Sequence, residues 1–327
     1  VAQSIFQQHH ETSDQRRLNR LRKLFEGRTE FPKFKTKKRS RPSFYQDTAK
    51  IKITDTHVKL EKLTTSRKKN KQKLNWIRLA ERGRIPHGKH VKYTNPRIIF
   101  DGLHWYLTIG VEEVEGKQDA STEGIGVDLG VKSLATVSNG MTFHNINKTP
   151  KVKKLEKSIK RLQRKLSRKY EMNKVQIKGG EVRYRKTKNI KKLEFLVLKK
   201  RRRLKNICFN HTHHITATLV KAKPKYVVIE HLNTSGMLKN KKLSKAIQEQ
   251  TFHEFKRQMT YKCAWHGIQL IIADRFYPSS KRCSRCGHVK EKFSLSERMY
   301  HCEACGMEMD RDLNASINLK NYAQSMG

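Results

Sequence analysis

The sequence predicts an α/β protein built on a mixed sheet, with a small all-β domain before it and a zinc ribbon near its end. Three observations predict this. Unbroken apolar runs typical of buried strands, IGVDLG at 125–130, YVVIE at 226–230 and IQLII at 268–272, alternate with segments of helical periodicity. Residues 43–112 instead alternate apolar and polar side chains over short stretches divided by turn residues, the pattern of a half-buried antiparallel sheet. Finally, Cys283, Cys286, Cys302 and Cys305 form CxxC-x15-CxxC, the spacing of a closed four-thiolate zinc site.

In chain order, residues 1–40 pass from a His- and Gln-rich stretch into RRLNRLRKLFEG, where Leu18, Leu21 and Leu24 recur at threes and Gly27 is a natural helix stop, and then into the basic run 33–41. In the β segment, Ile51, Ile53, Val58 and Leu60 face one way, and Asp101-Gly102 turns one strand back on the next; a small β-barrel is the expected result. A linker, GKQDASTEG, separates it from EGIGVDLGVKSLATVSNGMTFHN, read as two strands around Asn139-Gly140. Beyond it, Leu155, Ile159, Leu162 and Leu166 make an apolar stripe on a helix otherwise covered by Lys and Arg. After Gly179-Gly180 a second helix runs from about Asn189 to Lys221, so the pair reads as an antiparallel hairpin with a cationic exterior. The strand at 226–230, a helix at about 241–266, the strand at 268–272, the cysteine segment and a last helix, LNASINLKNYA, complete the chain.

Charge sets the partner class. The 327 residues hold 73 Lys+Arg against 29 Asp+Glu, a formal net charge of +44. Holding that much charge of one sign in a compact body is unfavourable through self-repulsion unless a polyanion neutralises it, so nucleic acid is the expected partner. The hairpin has few acidic residues at i,i+4 to offset its lysines and arginines, which favours a binding surface over a merely solvated one. Lys160, Arg161, Arg164, Lys165 and Arg168 on the first helix, with Lys281 and Arg282 beside the first cysteine pair, are the candidate contacts. No apolar run approaches the ~20 residues of a spanning helix, so no membrane partner is expected. Six cysteines, four of them in CxxC pairs, suit a reducing cytoplasm. Cys208 and Cys263 read as ordinary buried thiols, and the cluster His211, His213 and His214 fits no ligand spacing.

The chemistry lies in acids. Asp128 interrupts one apolar strand and Glu230 ends another; a buried, unpaired carboxylate is unfavourable by several kcal/mol and calls for a cation, hydrogen bonds or a raised pKa. If the two strands are neighbours in a parallel sheet, both acids emerge at the strand ends, where open α/β sheets bind ligands. On the last helix Asp312, Ala315, Ser316 and Leu319 share a face, and the small residues let that helix approach the sheet and deliver Asp312 as the third acid; Asp310 is held in reserve, and a helix N-cap is the competing role for Asp312. Three carboxylates make an all-oxygen site suited to Mg²⁺ or Mn²⁺ and to phosphodiester hydrolysis by two metals ~3.5–4 Å apart.

These motifs carry a resemblance. IGVDLGVKSLAT, VVIEHLNTSGM, DRFYPSSKRCSRCG and YHCEACGMEMDRDLNASINL, with FEGRTEFPKFKTKKRSRPSFY and NPRIIFDGLHWY ahead of them, resemble the TnpB proteins of insertion sequences, relatives of the type V CRISPR effector nucleases. The resemblance runs from about residue 15 onward. It implies a RuvC-type, RNase H-like nuclease domain at 119–276 carrying a helical hairpin at about 150–222, a zinc ribbon at 277–309 and the last RuvC motif at 310–327. A β-barrel wedge domain would span 35–118, with residues 1–34 a remnant of a helical recognition region. Asp128, Glu230 and Asp312 fall on the three catalytic motifs, with Mg²⁺ the catalytic ion and zinc a structural one. The implied partners are a guide RNA from the transposon end and a double-stranded DNA target, in the cytoplasm of a prokaryote at its nucleoid. His231 stands where an acid commonly follows the catalytic Glu. RNA-guided DNA endonuclease is the leading reading; a non-cleaving RNA-guided regulator and a guide-independent transposase are the rivals, and retention of all three acids argues against the regulator. The sequence leaves monomer and dimer open.

Overall fold

The computed structural model describes residues 40–61, 76–112 (without 89), 123–176, 182–232, 251–291 and 297–325, with a few isolated positions besides. The helix expected around Leu18, Leu21 and Leu24, most of the basic run 33–41, most of the linker 116–124, Gly179-Gly180 and residues 241–250 of the expected helix, apart from Ser244, lie outside the described residues. The chain divides into two units, Val1–Glu112 and Glu113–Gly327.

The first unit holds two three-stranded antiparallel sheets. Strands β1 (Ser43–Tyr45), β5 (Lys92–Phe100) and β6 (Trp105–Glu112) form one in the order β1-β5-β6; β2 (Lys52–Ile53), β3 (His57–Lys59) and β4 (Trp76–Arg78) form the other in sequence order. Period-two alternation aims Ile51, Ile53, Val58, Leu60 and Ile98 into one shared core, with Leu79, Leu107 and Ile109 packed against it. The Asp101-Gly102 turn is held by its own side chain: Asp101 Oδ1 accepts from the amides of Leu103 and His104, each at 2.9 Å, and Gly102 takes the left-handed φ of +97° that a side chain would oppose.

The second unit is built on a five-stranded mixed sheet of order β13-β12-β7-β8-β9. Its strands are β7 (Ile125–Leu129), β8 (Ser133–Val137), β9 (Thr142–His144), β12 (Tyr226–Ile229) and β13 (Gln269–Ile272). Segment 123–145 thus folds as three strands where its sequence reads as two: a second tight turn at residues 130–132, closed by the Gly130 amide on Leu134 O at 3.3 Å, separates β7 from β8. β7 pairs antiparallel with β8 but parallel with β12, which pairs parallel with β13. Along β7 and β12 side chains alternate between faces. Val127, Leu129, Val227 and Ile229 enter the main core, which α2 (Lys188–Lys221) supplies with Ile215 and Leu219 and α3 (Phe252–Trp265) with Phe255 and Met259. Val228 enters a smaller core on the opposite face with Leu319 of α4 (Arg311–Gln324).

That second face decides how close α4 lies. A Cβ built on Gly126 would stand 2.0 Å from Ser316 O and 2.4 Å from Lys320 N, so glycine in the strand and Ala315 and Ser316 in the helix, both fully buried, together permit the approach. The clash is with backbone and cannot be relieved by a rotamer. Gly126→Ala is expected to destabilise this unit by about 3 kcal/mol, the upper part of the range for overpacking; chemical denaturation followed by circular dichroism measures it.

The expected hairpin is present. Helix α1 (Pro150–Glu171) and α2 run antiparallel, joined through the ribbon β10 (Lys174–Gln176) and β11 (Val182–Tyr184). Val152 and Ile159 of α1 are buried, while Leu155, Leu162 and Leu166 are half-buried. Near its tip Glu194 accepts from the Tyr170 hydroxyl and from Lys186 Nζ at 2.8 Å, and further down Lys200 Nζ donates to Ser158 Oγ at 2.9 Å. Cys263 is buried as expected, whereas Cys208 is only half-buried and its thiol donates to Asn147 Oδ1 at 3.2 Å. Among the described residues no helix is long and apolar enough to cross a membrane.

Candidate functional site

The parallel register brings the first two acids together. Ile229 pairs with Val127, so Glu230 and Asp128, one residue further along neighbouring strands, stand side by side on the face that α4 covers. Each carboxyl lies close enough to the other to bear on its ionisation. Burial, then the charges of Glu230 and Asp312, push the Asp128 carboxyl well above the usual carboxylate range. Glu230 is raised too, again by burial first; hydrogen bonds from Ser279 and Asp128 work against the rise, and the charge of Asp312 adds to it. Three acids are thus held where the metal-free protein cannot comfortably ionise all of them.

The third acid arrives on α4. Asp310 takes the N-cap, its Oδ1 accepting from the amides of Asp312 at 2.9 Å and Leu313 at 3.1 Å, so the capping role that competed for Asp312 falls to its neighbour. Asp312 is therefore relieved of capping. It sits in the first turn of α4, where the helix dipole favours an anion, and its Oδ1 accepts from Nε and an Nη of Arg311, both at 3.3 Å. Arg311 and Asp312 are mostly covered, with side chains 14% and 20% exposed.

Sequence reasoning missed Ser279. Its hydroxyl, on a buried residue, donates to Glu230 Oε1 at 2.7 Å. It is held in turn by α4, because Asn318 Nδ2 donates to Ser279 O at 2.8 Å and to Arg282 O at 2.6 Å, and Asn314 Nδ2 donates to Arg282 O at 2.7 Å. Asn314 Oδ1 also accepts from the Ser284 amide at 2.9 Å. Two buried asparagines thus clamp the root of the cysteine segment to the helix that carries Asp312. A buried asparagine facing a bent chain is the available signal, since its amide needs several partners.

The four cysteines form a separate centre. Among the described residues theirs are the only His, Cys, Asp or Glu ligand atoms grouped as a possible metal site, all lying within 4.8 Å of one another. Cys283 and Cys305 Sγ are 3.7 Å apart, and Cys286 and Cys302 Sγ 3.5 Å. A tetrahedral ion with bonds of about 2.3 Å to sulfur requires about 3.8 Å between sulfurs, so the cage fits such an ion with little movement. Gly287 and Gly306, after each pair, take φ of +78° and +67°, and their amides donate to Cys283 O at 3.0 Å and Cys302 O at 2.9 Å. Fully buried Tyr300 anchors the cage to the clamp through its hydroxyl, which donates to Lys281 O at 2.9 Å.

Of the candidate nucleic-acid contacts, Lys160, Arg161, Arg164, Lys165 and Arg168 are all exposed, on the side of α1 away from its buried residues. Arg282 is exposed, whereas Lys281 is half-buried and its ammonium donates to Glu291 O at 3.0 Å. His211 Nε2 lies 2.9 Å from His144 O, consistent with a structural histidine.

Two family models match this chain, "Probable transposase" over residues 108–241 and "Cas12f1-like, TNB domain" over 252–319, and together they span more than half of it. The resemblance to the TnpB family read in the sequence is thus matched by both models. The second match begins with α3 and ends at Leu319, so it takes in Ser279, the cysteine cage, both clamp asparagines and Asp312, while the first takes in Asp128, Glu230 and the hairpin. The chain is 29% identical over 298 residues to a "putative RNA-guided DNA endonuclease" of Streptomyces pristinaespiralis, covering 90% of the chain and 66% of the relative. It is 27% identical over 312 residues to the "putative RNA-guided DNA endonuclease InsQ" of Escherichia coli, covering 90% and 69%. A solved Cas12f1–sgRNA–target DNA complex aligns with a TM-score of 0.42 at 19% identity, over 69% of this chain and 55% of that one. The chain thus spans about two thirds of the length of those two curated relatives.

Proposed function

We propose that this chain is an RNA-guided DNA endonuclease that hydrolyses phosphodiesters at Asp128, Glu230 and Asp312, on a RuvC-type, RNase H-like domain with a β-barrel wedge domain before it. The observation that carries this reading is that Asp128 and Glu230 stand side by side at the carboxyl edge of a mixed sheet, with Asp312 near enough to act on both through its charge. The names of the relatives support it.

The donor set suits Mg²⁺ or Mn²⁺: all oxygen, half-buried, and crowding negative charge together. Bound there, divalent ions would activate water and offset charge on the leaving oxygen. The chain's own residues do the rest. Asp128 and Glu230, both held against ionisation by burial, would have to be ionised to act as ligands. Ser279 fixes the rotamer of Glu230, and Arg311 holds Asp312 toward the cluster until a cation competes for it. The cysteines would hold zinc in a closed site, folding the ribbon without taking part in cleavage.

The exposed basic face of α1 would bind the guide RNA or its duplex with target DNA through backbone phosphates. Replacing Lys160, Arg161 and Arg164 together by Ala should lower the slope of log affinity against log salt by about three, roughly one per lost phosphate contact, with little change in thermal stability. Filter binding of the co-purified RNA at several salt concentrations measures it.

The deciding experiment incubates the purified protein, its co-purified RNA and a plasmid bearing the matching target in Mg²⁺. Cutting only with the matching RNA upholds the proposal. Tight binding without cutting would mark a regulator, and joined DNA ends a guide-independent transposase. The same protein on sizing and light scattering reports whether it acts as a monomer or dimer.

A further inference from the structure

Beside the acids lies a cleft of about 230 Å³, whose walls include Glu230, Ala273, Arg275, Tyr277 and Ser279. It opens past the ends of β12 and β13, the position at which open α/β sheets take ligands. Between two of its lining residues in sequence, Arg275 and Tyr277, stands Phe276, which is 83% exposed. Lone exposed apolar residues are common and carry nothing by themselves. This one differs in how firmly its backbone is held. Asp274 Oδ1 accepts from the Phe276 amide at 2.8 Å, and the Asp274 amide donates to the Tyr322 hydroxyl at 3.3 Å. Tyr277, next in sequence, packs edge-on against Tyr322 at 4.7 Å between ring centres and donates its hydroxyl to Asn318 O at 3.0 Å. The turn is therefore bolted to α4, the helix of Asp312, while the ring it presents is bare except for the guanidinium of Arg275, 5.4 Å from the ring centre.

A rigidly mounted aromatic face with a cation beside it, next to an acid cluster, suits a nucleotide: the base stacks on the ring and the phosphate meets the guanidinium. In a duplex each base is already covered by its neighbours, so the ring can receive only an unpaired base. We propose that Phe276 and Arg275 form a seat for one nucleotide of single-stranded DNA, adjoining the bond that Asp128, Glu230 and Asp312 would cut. Stacking is tolerant of base identity, so the seat holds the strand in line without reading its sequence. Because the backbone of this turn is held before binding, little backbone freedom is lost when the base arrives. This inference rests on the nuclease reading, but its test does not require cleavage.

The test uses the full chain without divalent ions, at salt high enough to suppress general phosphate binding, and a short single-stranded DNA carrying one 5-iododeoxyuridine. Irradiation should give an adduct that mass spectrometry maps to Phe276. Phe276→Ala should weaken single-strand binding by roughly tenfold or more, Phe276→Trp should restore it, and a blunt duplex of the same sequence should bind all of them alike. Arg275→Ala should weaken the same binding and reduce its salt slope by about one. Adducts confined to other residues, or equal single-strand affinity of wild type and Phe276→Ala, would overturn the seat, as would an equal loss on the duplex. An active nuclease with any of these results leaves the acid site standing and removes only the seat; an adduct at Phe276 in a protein that never cuts does the reverse.

Discussion

Asp128→Asn is expected to abolish DNA cutting and, in the absence of divalent ions, to make the protein more stable. The two halves of this result come from one cause. Asp128 is the acid most disfavoured as an anion, pushed up by burial and by Glu230 and Asp312 beside it. Asparagine keeps the shape and can still donate to Glu230, but removes the ionisable group. Cleavage should fall at least about 10²–10³-fold, as when one preorganised electrostatic group is taken from an active site. Metal-free stability should rise by about 2 kcal/mol, within the range for replacing a buried charge by a neutral group, or about 5 °C in Tm for a unit of this size. The sign with pH follows. A carboxyl whose pKa is higher folded than unfolded binds more proton in the folded state, so its contribution to stability declines as pH rises from the ordinary carboxylate range through the raised value. The gap in Tm between Asp128→Asn and wild type should therefore widen from pH 5 toward pH 8 in EDTA and shrink when Mn²⁺ is added. Scanning calorimetry reads both. Equal Tm values throughout, together with undiminished cutting, would remove Asp128 from the site.

The second large effect is expected at the cysteine cage. Cys302→Ser should reduce bound zinc from one per chain to well below one by elemental analysis, and expose residues 277–309 to protease. Four-thiolate sites in isolated zinc peptides contribute about 10–16 kcal/mol of folding free energy, so a cage missing one ligand loses much of what orders a segment this short. The consequence reaches the acids, although zinc would not touch DNA. The cage holds Tyr300, Tyr300 holds Lys281 O, and the segment just before it presents Ser279 to Glu230. With the ribbon loosened, Glu230 loses its hydroxyl partner and cutting should fall as well. Ser279→Ala separates the two causes: it should impair cutting with zinc content and protease resistance unchanged. A Cys302→Ser protein that is protease-resistant and fully active would contradict the structural role of the cage.

Much of this site is legible in the sequence, for reasons that differ between its parts. The cysteine cage is a local feature: four ligands at fixed spacing, each pair followed by a glycine that alone tolerates the positive φ of the turn. The hairpin and the β segment are likewise periodic patterns read over ten to twenty residues. Asp128 and Glu230 stand out as a set: singly, an acid at a strand end is more often a cap or a salt-bridge partner, but two in apolar runs call for a common cation or hydrogen bonds. Segment 123–145 is harder to read, because its Asn139-Gly140 turn is marked in sequence while the turn at 130–132 is held by a backbone bond and by the distant Asn145 side chain, which donates to Val131 O at 2.9 Å.

By itself, then, the sequence determined the kinds of group present, their local geometry and the excess of positive charge from which a polyanionic partner is proposed, all of which depend on residues near one another in the chain or on a sum over it. Tertiary structure decided what meets what. Whether Asp310 or Asp312 caps α4 depends on where β15 (Glu308–Asp310) hands over to the helix. That Ser279 reaches Glu230, and that Gly126 is needed for α4 to lie close, depend on the pairing of strands a hundred residues apart in the chain. Such contacts leave no periodic trace, because a strand's alternation records which face is buried and not which neighbour buries it.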